Sequence, residues 1–165
     1  MARALIVGCG CRGRELGQEL AERGWAVRGT SRREQGLAAI EAAGIEPALA
    51  DLDRVGTVLE LVADVAVVYL LLGSAAGEPE AVAEIHGHRL QSLMEKLVDT
   101  PVRGVVYEAA GTVDAEVLAG GAEIVERAAA TWRIPVAVLD GSSGNSAAEM
   151  ADLALDLLSP AGQGK

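Results

Sequence analysis

The run Gly8-Cys9-Gly10-Cys11-Arg12-Gly13 has the spacing G-x-G-x-x-G, directly after the apolar segment Leu5-Ile6-Val7 and directly before a helical pattern. That context gives the spacing a physical meaning. The first glycine permits a tight turn, the second lets a pyrophosphate approach the backbone, and the third lets helix and strand pack closely. Phosphate oxygens then meet the N–H groups and positive dipole end of the helix, where Cys11 and Arg12 stand. The same residues could form a turn that holds no ligand, but a strand before them and a helix after them favour a dinucleotide.

About 20 residues further on, an NAD-selective site places Asp or Glu to bind the ribose 2′-hydroxyl. This chain has Gly29-Thr30-Ser31-Arg32-Arg33 there, with no acid before Glu34. A 2′-phosphate would meet two hydroxyls and a guanidinium, and arginine suits phosphate geometry. The expected cofactor is therefore NADP(H) rather than NAD(H), held by Thr30, Ser31 and Arg32. Arg33 carries less of the argument because it opens a helix. The missing acid also argues against S-adenosylmethionine. Asp51-Leu52, at the end of the third strand, fits either the adenine amino group or an acidic helix cap.

Other residues divide between chemistry and structure. Glu108 closes the fifth strand, at the carboxyl edge where open α/β sheets bind ligands, and reads as a base or as a cap of the next loop. His86 and His88 stand two apart on one expected helix, so they point to different faces and suit exposed helix surface better than a metal. Cys9 and Cys11 flank the turn; small-residue packing explains them better than redox chemistry, although a thiol near a helix start can have a lowered pKa. The loop Gly141-Ser142-Ser143-Gly144-Asn145 either borders the cleft or serves as a turn and helix cap.

The elements that must position these residues follow from hydrophobic period. Strands are expected at residues 4–8, 25–30, 47–50, 65–72, 104–108 and 135–140. Helices are expected at 12–23, 33–43, 55–62, 79–98, 115–132 and 146–158. The long helix at 79–98 carries a stripe of Val82, Ile85, Leu90, Leu93, Met94 and Leu97, which should face the sheet. Strict alternation of strand and helix predicts an α/β domain, a doubly wound parallel sheet of order 3-2-1-4-5-6 with right-handed crossovers. Residues 1–158 form that single domain, and 159–165, with their Pro and Gly, form a flexible tail.

Composition agrees with one domain: 165 residues suffice to bury a core. Fourteen basic against 24 acidic residues, net −10, argue against a nucleic-acid surface, which needs a basic footprint. With no Phe and only 2% aromatics, the core must be Val, Leu, Ile and Ala, and stacking platforms are scarce. No apolar run reaches the ~18 residues of a membrane span, and no secretory signal is read. Two cysteines two residues apart neither staple a fold nor complete a zinc site. A reduced, cytoplasmic protein is expected.

The chain resembles the short-chain dehydrogenase/reductase superfamily in its atypical or extended, epimerase/dehydratase-like branch. The carrying segments are ALIVGCGCRGRELGQELAERGWAVRGTSRR at 4–33, ALADLD at 48–53, HRLQSLMEKLVDTPVRGVVYEAAG at 88–111 and AEIVERAAATWRIPVAVLD at 122–140. The resemblance implies an NAD(P)-binding Rossmann domain with Gly8, Gly10 and Gly13 at the phosphates. It also places Thr30, Ser31 and Arg32 at the ribose, Asp51 and Leu52 at adenine, and Leu72 and Gly73 beneath the cofactor. It implies a homodimer through the two helices flanking the fifth strand.

The departures concern catalysis. Members resemble one another in a Tyr-x-x-x-Lys dyad that relays a proton. Here Tyr69 is followed four later by Gly73 and Tyr107 by Gly111, and the dyad positions fall near Ala115 and Ala119. The family's Ser or Thr after the fifth strand falls at Ala109 or Ala110. About 20 residues follow Gly144, enough for one helix where extended members build a substrate lobe. Two functions are therefore expected: an oxidoreductase on a small molecule, or a non-catalytic NADP(H) sensor acting through a protein partner. The G-x-G-x-x-G-x-x-L opening from Gly8 to Leu16 also resembles nucleotide-gating domains of potassium-transport regulators, but those carry an acid after the second strand.

Overall fold

The apolar runs become strands because both of their faces are covered. In the computed structural model, which describes residues 2–142 and 146–159, alternate residues of each central strand enter different cores. In β1 (Arg3–Val7), Leu5 and Val7 join one cluster and Ala4 and Ile6 the other. In β4 (Val67–Leu70), Val68 and Leu70 separate from Val67 and Tyr69 in the same way. A strand buried on two sides must be apolar throughout, which is why these runs lack the alternation of a half-exposed strand.

With β2 (Ala26–Ser31), β3 (Glu46–Leu49), β5 (Gly104–Glu108) and β6 (Val136–Leu139), they form one parallel sheet of order β3-β2-β1-β4-β5-β6. The expected topology is the observed one. Helices α1 (Cys11–Glu22), α2 (Glu34–Ala42) and α7 (Ala147–Leu158) cover one face. On the other lie α3 (Val55–Leu59), α4 (Pro79–Ile85), α5 (His88–Leu97) and α6 (Ala115–Trp132). The order reverses between β1 and β4, and a crevice opens outside their carboxyl ends.

One expected element is corrected. Residues 79–98 are not one helix: α4 ends at Ile85, and α5 starts at His88 after an N-cap at Gly87. The stripe explains the break. Ile85 and Leu90 are five residues apart, which on a continuous helix would turn the stripe about 140° out of phase. Interrupting the helix lets Val82 and Ile85 on one side and Leu90, Leu93, Met94 and Leu97 on the other all be buried. Elsewhere the ends shift by one to three residues, as at β4 and α3. Among the described residues, no helix is long and apolar enough to cross a membrane. Residues 143–145 of the loop after β6 and 160–165 of the expected tail lie outside the described residues.

Candidate functional site

The glycine turn sits at the carboxyl end of β1 and is held from β2. Gly8 has φ +85, and a Cβ there would come 2.6 Å from the Leu71 carbonyl oxygen, so both backbone and space require glycine. Its N–H donates to the Thr30 hydroxyl at 3.2 Å, and the Cys9 N–H donates to the Thr30 carbonyl at 2.9 Å. Thr30, expected beside a 2′-phosphate, is 1% exposed and clamps the turn with both its side chain and its main chain. Burial raises the Cys9 thiol to about 11, against an opposing pull from Arg14. Its sulfur fills the space beside Gly29, which supports the packing reading. Cys11 is exposed, with Glu15 3.8 Å away.

Gly10 is the N-cap of α1, in extended conformation, and no side chain caps the helix. The first intrahelical bond runs from the Arg14 N–H to the Gly10 carbonyl at 2.8 Å, so the N–H groups of residues 11–13 precede it. A Cβ on Gly10 would meet nothing within 4 Å. Over this turn lies a cleft of about 460 Å³. It is lined by Gly8, Gly10, Cys11, Arg12, Gly13, Thr30, Ser31, Arg32, Asp51, Leu52 and Leu72, every expected cofactor residue except Gly73. Among the described residues no cluster of His, Cys, Asp or Glu could hold a metal.

On the β2 side, the Ser31 hydroxyl accepts from the Arg33 N–H at 3.1 Å and donates to the Arg33 carbonyl at 2.7 Å, closing a local turn. Gly36 in α2 is needed there because a Cβ would run into the Ser31 side chain. Arg32 reaches over to the loop after β4, donating to the Ala76 carbonyl at 2.9 Å. Asp51 accepts from the Asp53 N–H at 2.9 Å in an Asx turn; the N-cap of α3 is Arg54, so the helix-cap reading of Asp51 is not what the fold uses. Leu52 is buried and Leu72 half-buried.

On the other side of the crevice, Glu108 is 4% exposed. One carboxylate oxygen accepts from the Gly73 N–H at 2.8 Å, and the other is paired with Arg12. Arg12 thus leaves the first turn of α1 to reach the end of β5. The sequence offered Glu108 as a base or a cap; the structure shows a buried carboxylate with both oxygens engaged. Gly141 and Ser142 are exposed and do not line the cleft.

His86 corrects the expectation of an exposed helix surface. The helix break turns it inward to 2% exposure, whereas His88 stays exposed beside Glu84, at 3.3 Å. His86 Nδ1 lies 2.6 Å from the Tyr107 hydroxyl and Nε2 lies 2.9 Å from the Leu72 carbonyl. Tyr107 fits only because residue 121 is glycine; a Cβ there would overlap its hydroxyl. The Leu72–Gly73 peptide is therefore gripped from two sides, by His86 at its preceding carbonyl and Glu108 at its N–H. The five-residue gap in the stripe was the available signal.

Burial lowers the His86 pKa below its ordinary 6.5, and the Leu72 carbonyl and Glu108 oppose that only in part. Folding thus favours neutral His86. Below pH 6.5 the unfolded chain takes up a proton that the folded chain refuses, and stability falls by at most about 1.4 kcal/mol per pH unit. Thermal melts between pH 5 and 7.5 should show this slope, and His86→Gln should flatten it. Parallel profiles for the two proteins would remove His86 as the cause.

Arg14 is the residue the sequence reading missed. It lines the cleft and is half-buried. Cys11 and Arg14 are three apart on α1 and share a face, so assigning Cys11 to the cleft already implied Arg14.

Six parallel strands in this order, a glycine turn after the first, and a cleft where the order reverses define a Rossmann fold. No protein-family model matches the sequence, and no curated protein matches it. Solved structures share the fold. UDP-glucose 4-epimerase from Thermotoga maritima, determined with UDP-glucose, has a TM-score of 0.70 at 14% identity, covering 82% of this chain and 54% of that one. A short-chain dehydrogenase/reductase superfamily protein from Agrobacterium tumefaciens, determined with bound NAD, has 0.68 at 16%, covering 82% and 48%. Vestitone reductase from alfalfa has 0.65 at 15%, covering 84% and 56%. The chain has the Rossmann fold that these epimerases and reductases share, and it spans about half of their length.

Proposed function

We propose that this chain binds NADP(H) in the cleft over the glycine turn. The observation that carries the reading is the setting of Gly10. A side chain there would enter open space, beside an uncapped helix start and between the β2 and β4 edges. Space and donor chemistry fit a pyrophosphate. The Agrobacterium tumefaciens neighbour with bound NAD supports a nicotinamide dinucleotide. Preference for the 2′-phosphate rests on Ser31 and Arg32, with Thr30 holding the turn beside them.

When bound, the cofactor supplies hydride-transfer chemistry. The chain's own residues receive the phosphates at 8–13, place Asp51 and Leu52 toward the adenine end, and set Leu72 beneath the other half, with Gly73 behind it on the buried Glu108 carboxylate. An oxidoreductase acting on a small molecule is the first form of this reading. A non-catalytic NADP(H) sensor is the second, favoured by one observation: neither tyrosine lines the cleft. Tyr69 donates to the Met150 carbonyl at 2.8 Å inside the fold, and Tyr107 is bonded to His86. Turnover of NADPH with a carbonyl panel supports the first form, and cofactor-dependent capture of a partner supports the second. A cytoplasmic homodimer through α5 and α6 belongs to the same proposal.

Calorimetric titration with NADPH and then NADH tests it. NADPH is expected to bind at micromolar Kd and NADH about tenfold or more weaker, a difference of about 1.4 kcal/mol. No heat and no thermal stabilisation with either nucleotide would overturn the reading.

A further inference from the structure

Arg12 and Glu108 meet across the top of the sheet. Arg12 stands in the first turn of α1, just past the end of β1, and Glu108 ends β5. Because β4 lies between those two strands, the ion pair spans the carboxyl end of β4, where Leu72 and Gly73 follow. Glu108 lines the cleft, and no described residue after it does. From Ser31, Arg32 and Asp51 on the β2 and β3 side, the cleft therefore runs as far as β5 and ends at a bridge of opposite charges.

The two ends of the bridge differ. The Glu108 side chain is 5% exposed and is fixed by the Gly73 N–H at 2.8 Å, whereas the Arg12 side chain is 47% exposed. The other terminal nitrogen of Arg12 lies 3.9 Å from the Met150 sulfur of α7, a weak acceptor. His86 holds the Leu72 carbonyl separately, at 2.9 Å. If the bridge opens, the arginine moves, while the carboxylate and the Leu72–Gly73 peptide stay in place. A long side chain that closes on a fixed, buried anion has the build of a latch.

We propose that the Arg12–Glu108 bridge is a gate across the nicotinamide half of the cleft. With the bridge closed the cleft takes an ADP-ribose-type nucleotide, and it admits the whole dinucleotide only when Arg12 leaves Glu108. The proposal rests on the NADP(H) reading above, which puts the nicotinamide half over Leu72. Opening takes the counter-charge from a buried carboxylate, which is unfavourable. A ligand that needs the open state binds more weakly by the cost of reaching it. The nicotinamide should therefore add little net affinity to this chain.

The test compares NADPH with 2′-phospho-ADP-ribose, which lacks only the nicotinamide, by calorimetry on the full chain. NADH against ADP-ribose repeats the comparison without the 2′-phosphate. In the unaltered protein each pair should agree within about threefold, a difference of about 0.7 kcal/mol. Glu108→Gln keeps an acceptor for the Gly73 N–H and loses the charge that holds Arg12, so it should raise the ratio of NADPH to fragment affinity about tenfold. Arg12→Ala should raise the ratio too, with a lower Tm because Glu108 loses its counter-charge. Circular dichroism and melting verify the fold of both variants. A dinucleotide that binds the unaltered protein more than tenfold tighter than its fragment overturns the gate and keeps the NADP(H) reading. So does an unchanged ratio in a folded Glu108→Gln protein. Fragment binding without dinucleotide binding supports the gate and overturns the cofactor reading. No binding of any of the four overturns both.

Discussion

Gly10→Val is expected to abolish nucleotide binding while leaving the protein folded. Residue 10 has φ −83 and ψ −152, extended backbone that any residue adopts, and an added Cβ has no neighbour within 4 Å. The cost to folding is that of a poorer N-cap, about 1 kcal/mol, or roughly 2–4 °C in Tm for a chain of this size. The isopropyl group would instead stand where phosphates must approach the backbone, and affinity should fall about a hundredfold or more. Calorimetry beside a thermal melt separates the two effects. Retained NADPH binding in a folded Gly10→Val protein would move the ligand away from the turn. Gly8→Val is the contrast: at φ +85 and 2.6 Å from Leu71, it should fail through the fold.

The sheet and the turn were legible because their signals are local. Short apolar runs, period 3.6 and the spacing of Gly8, Gly10 and Gly13 lie within single elements, and the burial of Leu16 and Leu20 or of Leu90, Leu93 and Leu97 follows from them. What was not legible depends on how elements meet. Nothing near Arg12 in sequence announces Glu108, 96 residues away, because the pair forms only when β5 lies two strands from β1. Thr30 could be placed beside the turn, but its hydroxyl's bond to Gly8 depends on the β1–β2 register, which sets Ile6 against Gly29. His86 was misplaced for a different reason. The stripe is continuous in residue type, and only its phase slip between Ile85 and Leu90 marks the break that turns His86 inward. Arg14 was legible and overlooked, since helix geometry alone ties it to Cys11.

Gly73→Ala should be among the most destabilising single-methyl changes in the chain. The added Cβ would fall inside the carbonyl oxygen of Ala110, and that atom is backbone, so no rotamer change relieves the overlap. The loops after β4 and β5 must part, and the contacts between them are the ones that hold the cleft's second side. The Val113 N–H donates to the Gly73 carbonyl at 3.0 Å, the Thr112 N–H to the Ser74 hydroxyl at 3.2 Å, and the Gly73 N–H to buried Glu108 at 2.8 Å. Overpacking and the loss of a buried carboxylate's donor together cost about 3 kcal/mol or more, so Tm should fall by roughly 10 °C. Ser74→Ala, which removes one exposed bond, should cost under about 1 kcal/mol. A Gly73→Ala protein melting within 2 °C of the unaltered one would mean that the two loops separate freely. The grip of His86 and Glu108 on the Leu72–Gly73 peptide would then not be what shapes the cleft. If Tm falls as expected, NADPH affinity should fall with it, because Leu72 on the cleft wall cannot hold its place once the peptide after it has moved.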